Sequence, residues 1–147
     1  MIRWILLFWI ALPAGAQSYG YLFAGVGSES GAYGRGFTYV GAGAEGRFLR
    51  VLGAGGEIGL IARDRSFVMA ASNVSAHLPV HTKVDPFVTA GWGIGTNASS
   101  AYDFLNVGGG LNVWVRPRLG IRLEVRDFLW RGESRHLVGF RAGIVFR

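Results

Sequence analysis

The sequence has no cysteine, only four prolines and a single lysine among its 15 basic residues, and charged residues make up just 16% of it. Without cysteine there can be neither a disulfide framework nor a cysteine-ligated zinc site. So little charge cannot cover a water-facing surface, which ordinarily takes about a quarter or more charged residues. Long apolar runs are missing too: Trp4 to Leu12 stops at Pro13, well short of the roughly 20 residues a spanning helix needs. The 14% aromatic content and the mean hydropathy of +0.31 exclude a disordered basic tail. At 147 residues the chain is one domain's worth, which excludes a multi-domain enzyme.

What is abundant is glycine, 24 residues, more than twice the usual share of about 7%. The N-terminus reads as a secretory leader. Arg3 precedes the apolar run, and Pro13 with Ala14, Gly15 and Ala16 supplies a small-residue cleavage site. Cleavage is expected after Ala16, leaving residues 17–147 as the mature domain. An exported chain without cysteine suits a bacterial envelope protein that is stable without disulfides.

Beyond the leader, glycine recurs at two-residue spacing inside apolar segments, as in Gly91, Gly93 and Gly95. Helices would lose about 1 kcal/mol at each such glycine, so these segments are expected to be strands. The alternation is clearest near the C-terminus. Leu119, Ile121, Leu123 and Val125 share one face, with Gly120, Arg122, Glu124 and Arg126 on the other. Val138, Phe140, Ala142, Ile144 and Phe146 repeat it against Gly139, Arg141 and Gly143. The same template applied backwards yields eight strands, at roughly 16 residues per strand and connection, which suits membrane strands of about 9 to 11 residues. Leu49–Val51, Pro79–Lys83 and Arg116–Arg118 are expected as short turns at one end. Ser28–Gly36, Arg63–Ser66, Thr96–Tyr102 and Leu129–Arg135 are expected as the loops at the other.

The polar faces are rich in glycine and hold few charges. A soluble barrel hides its apolar face and a membrane barrel its polar one, so this pattern points to an apolar exterior around a side-chain-filled bore. Glu45, Glu57 and Glu124 against Arg122, Arg126 and Arg141 balance in charge and are expected to form an ion-pair cluster inside it. Trp92, Tyr102, Phe104, Trp114, Phe128, Trp130 and Phe146 fall near strand ends and are expected as interface girdles.

The leader, the stretch Val84 to Gly93, the strand Leu119 to Phe128 and the aromatic-ended last strand together make the chain resemble the small OmpA-like outer-membrane β-barrels. That resemblance covers nearly all of residues 17–147. It implies an all-β, eight-stranded antiparallel up-and-down transmembrane barrel, inserted by the outer-membrane assembly machinery, with both termini in the periplasm. Phe146 is followed here by Arg147, a departure from members that end on the aromatic residue. No peptidoglycan-binding segment follows, so a cell-wall tether is not expected.

Other candidate sites are weaker. Gly41, Gly43 and Gly46 match a dinucleotide fingerprint, but within a strand rather than before a helix. His77, His81 and His136 lack a companion cysteine, and His136 is expected at the opposite end from the other two, so no metal and no cofactor are expected. Asn73 and Asn97 open glycosylation-type triplets. Ser134 and His136, beside Glu133, would suit a lipid-modifying hydrolase. Arg35, Arg63, Arg65, Arg131 and Arg135 gather at the loop end, where lipopolysaccharide phosphates could accept hydrogen bonds from guanidinium groups. The net charge of +6 is thus matched to anionic lipid, and no nucleic-acid partner is expected. The leading expectation is a non-enzymatic barrel with a structural or surface-interaction role. The alternatives are the hydrolase, and a small-ligand binder or minor pore with loops Ser28–Gly36 and Thr96–Tyr102 at its mouth.

Overall fold

A computed structural model describes residues 17–30, 34–64, 66–78, 83–131 and 135–147. The expected leader, residues 1–16, lies outside them. Eight strands follow in chain order: β1 Ser18–Glu29, β2 Gly36–Arg47, β3 Leu52–Ala62, β4 Phe67–His77, β5 Val84–Thr96, β6 Ala101–Arg116, β7 Leu119–Trp130 and β8 Arg135–Phe146. Each pairs antiparallel with its sequence neighbours, and β8 pairs back onto β1, so the sheet closes and no edge is left open. One irregularity, between Trp114 and Arg116, bends β6 at its end.

The alternation in the sequence becomes inside and outside. Leu22, Ile58, Val74, Val88 and Val107 point outward and are more than half exposed, whereas Glu124, Arg126 and Arg141 are buried. An apolar outside around a charged inside inverts the arrangement that water imposes. A twelve-residue strand such as β1 is about 40 Å long. Tilted by about 45°, it stands about 28 Å tall, close to the apolar band of a membrane barrel.

Register explains the glycines. On the inner face of the β1–β2 pair, Tyr21 lies opposite Gly43, Phe23 opposite Gly41, Gly25 opposite Tyr39 and Gly27 opposite Phe37. Each ring lies over the glycine across from it. A Cβ on Gly43 would sit 2.4 Å from the Tyr21 ring, and one on Gly27 would sit 2.3 Å from that of Phe37. The bore is therefore packed with aromatic rings that only glycine neighbours can admit.

This packing corrects the girdle expectation. Phe104 and Phe128 are fully buried, and Trp114 and Trp130 pack against the interior cluster. Tyr102 also joins the interior stack, with its ring 5.8 Å from Trp130. Of the seven residues, only Trp92 and Phe146 are exposed on the outside. The physical reason is parity: Phe128 and Trp130 continue the inward series Arg122, Glu124, Arg126, and Phe104 continues that of Asn106 and Asn112. The loops are also shorter than expected, because β1 runs on to Glu29, β6 starts at Ala101 and β7 runs on to Trp130.

Candidate functional site

The bore has three layers. At mid-height β3, β7 and β8 supply Glu57, Arg122, Glu124, Arg126 and Arg141, each at most 3% exposed. Arg126 donates to Glu57 at 2.7 Å and to Glu124 at 2.7 Å. Arg141 bridges the same two carboxylates at 3.0 and 2.9 Å. Arg122 donates to Glu124 at 3.0 Å and lies 3.9 Å over the Phe87 ring. Charges this deep are tolerable only when paired, and the cluster supplies each with a partner.

Five of the six cluster residues named from the sequence thus meet. Glu45 does not. Gly43 is opposite Glu57, which places Glu45, two residues further along β2, nearer the end that carries the chain termini. There Glu45 lies 2.7 Å from His77 Nε2 and accepts from Ser75. His77 Nδ1 is 3.0 Å from Asp85, and Tyr19 lies against Nε2 at 2.9 Å. Arg47 donates to Asp85. Asn112 ties the layers together, donating to Asp85 at 3.1 Å and accepting from Arg122 at 3.3 Å.

The connected network therefore holds four carboxylates (Glu45, Glu57, Asp85, Glu124) and four guanidiniums (Arg47, Arg122, Arg126, Arg141), with His77 between two of the carboxylates. Arg47, His77 and Asp85 were absent from the sequence-derived cluster. All three lie on the inward face of their strands, and that parity was the available signal.

Towards the loop end, rings replace charges. Phe104 and Phe128 are 5.6 Å apart, Tyr39 and Phe128 6.0 Å, and Phe104 and Trp130 5.5 Å. Phe67 and Tyr102 complete this stack beneath the loop mouth. Such edge-to-face and tilted pairs add about 0.5 to 1.5 kcal/mol each beyond the area they bury.

The described loop-end arginines are all drawn into ion pairs; Arg65 lies outside the described residues. Arg35 pairs with Asp64 at 2.6 Å, Arg63 and Arg135 both meet Glu29, and Arg131 pairs with Asp103 at 3.3 Å. His136 faces outward and contacts Asp127 at 2.8 Å, while Ser134 and His81 lie outside the described residues. Gly41, Gly43 and Gly46 sit within β2, with no helix after them. Asn73 is buried in the bore, and Asn97 shapes its loop by accepting from the backbone of Ser99 and Ser100, both at 2.9 Å.

No protein-family model matches the chain, and no curated protein matches it by sequence. Solved structures do. The barrel is similar to Neisserial surface protein A, at 14% identity over 90% of this chain and 99% of that one, with a TM-score of 0.74. It is similar to the N-terminal β-barrel domain of Pseudomonas aeruginosa OprF, at 13% identity over 89% and 99% of the two chains, with a TM-score of 0.64. It is also similar to Ail, the attachment invasion locus protein of Yersinia pestis, at 11% identity over 88% and 95%, with a TM-score of 0.60. The chain has the fold of the small eight-stranded outer-membrane β-barrels.

Proposed function

We propose that the protein is a non-enzymatic β-barrel of the bacterial outer membrane, with a structural or surface-interaction role in the cell envelope. In this reading the chain is exported by a leader spanning residues 1–16 and inserted by the outer-membrane assembly machinery. The observation that carries it is the inversion of the two faces: an apolar exterior of membrane height encloses a bore filled by paired charges and rings. Water cannot stabilise that exterior, and lipid can.

The same interior argues for a closed channel. Ions would have to pass both the Glu57–Arg126–Glu124–Arg141 cluster and the aromatic stack at Phe104 and Phe128. At the loop rim, Arg35 and Arg131 keep further N–H donors beyond those used in their ion pairs. These suit contacts to lipopolysaccharide phosphates.

Envelope fractionation followed by electrophoresis of boiled and unboiled samples tests the assignment. The protein is expected in the outer membrane, migrating faster unboiled, and negligible conductance is expected in planar bilayers. Recovery from the soluble periplasmic fraction would overturn the membrane reading, and a stable open channel would overturn the closed bore. The outward His136–Asp127 contact favours one second reading, a lipid-modifying hydrolase with Ser134 as nucleophile. Incubation with lipid A should then release acyl chains detectable by mass spectrometry, and unchanged lipid would retire that reading.

A further inference from the structure

The mouth at the terminal end of the barrel opens into a cavity of about 670 Å³, within the range of roughly 300 to 1,000 Å³ typical of small-molecule sites. Its wall carries Arg47, Arg50, Lys83, Arg116 and Arg147, and one acidic side chain, Asp85. That carboxylate is already committed, to Arg47, His77 and Asn112. Glu45, just below, is likewise taken up by His77 and Ser75. Among the described residues, Arg50, Lys83 and Arg116 have no ion-pair partner, and all three are exposed. Arg147 donates to the Pro117 carbonyl at 2.8 Å and lies 4.2 Å over the Trp114 ring, which holds its guanidinium at the rim.

Several cations in one concavity, with their nearby carboxylates engaged elsewhere, repel one another unless an anion joins them. The loop mouth shows what a neutralised rim looks like in this same chain, since each described arginine there meets a carboxylate. We propose that the terminal mouth is a binding site for a multiply charged phosphorylated anion. Arginine N–H groups bond phosphate oxygens bidentately and lysine adds a point charge, so Arg50, Lys83 and Arg116 supply the recognition. The anion is either a soluble phosphorylated molecule or the headgroup of an anionic lipid at the rim, beside the exposed Leu119 and Val115. The site does not depend on the proposed cellular role. On the proposed orientation it faces the periplasm.

The test uses the refolded full chain in zwitterionic micelles, titrated calorimetrically with inorganic pyrophosphate. Saturable binding that weakens with added salt is expected. The double variant Arg50→Gln/Arg116→Gln should weaken it by about tenfold or more, because each side chain contributes charge-assisted bonds. The loop-mouth pair Arg35→Gln/Arg131→Gln should leave it unchanged. All four positions are exposed and lie outside the buried network, and the faster mobility of the unboiled protein checks that each variant has folded.

Absence of binding to the wild type, or equal weakening by both double variants, would overturn the site. Repeating the titration in nanodiscs separates the two sources. Competition by phosphatidylglycerol that is lost in Arg50→Gln/Arg116→Gln assigns the site to a lipid headgroup. Undiminished pyrophosphate binding beside that lipid assigns it to a soluble anion.

Discussion

At the loop mouth, Glu29 alone holds two arginines, Arg63 and Arg135, and Asp64 and Asp103 hold Arg35 and Arg131. At the terminal mouth the carboxylates turn inward, Asp85 and Glu45 closing on His77, and Arg50, Lys83 and Arg116 are left facing a cavity. The support beneath differs as well. Rings close the bore under the loops, whereas hydrogen-bonded charges continue the network under the termini. The contrast teaches that a count of basic residues does not locate an anion site. What locates it is where strand register leaves acceptors out of reach.

The largest effect is expected at Glu124, between the two halves, where one carboxylate serves Arg122, Arg126 and Arg141. Glu124→Gln leaves Arg126 and Arg141 to share Glu57 and Arg122 without a carboxylate, and should lower stability by about 3 to 5 kcal/mol. The urea midpoint of the heat-modifiable form would report this, and an unchanged midpoint would show that the ring stack alone holds the bore. Glu29→Gln acts on the contrast itself. It should cost about 1 to 3 kcal/mol, since a buried acceptor is weakened for both Arg63 and Arg135. It should also create pyrophosphate binding at the loop mouth, and if none appears, pairing is not what distinguishes the two ends. The smallest effect is expected from Arg35→Ala, whose pair with Asp64 is about two-thirds exposed on both sides. Such pairs contribute at most about 1 kcal/mol, so the same urea midpoint should barely move.

Much of this was legible from the chain. The period-two pattern separates Leu119, Ile121, Leu123 and Val125 from Arg122, Glu124 and Arg126, and these are the outer and inner faces of β7. The same parity carries Phe128 and Trp130 inward, yet their position near a strand end suggested an interface girdle. Proximity to an end is a weaker signal than parity, because a one-residue shift moves a side chain to the other face. The pairing of the loop-end arginines was not legible. Glu29 and Arg135 are 106 residues apart and meet because β1 and β8 close the barrel.

By itself, the sequence determined the strands, their two faces and the inversion of polarity, since alternation and glycine spacing are local properties that each segment carries along its length. Only the tertiary structure decided which charges neighbour which. Closure and strand stagger set Glu45 against His77 rather than among the mid-bore arginines, and they set Glu57 against Arg126 from 69 residues away. Electrostatic pairing depends on distances of a few ångströms between remote strands, and the one-dimensional pattern holds no record of those distances.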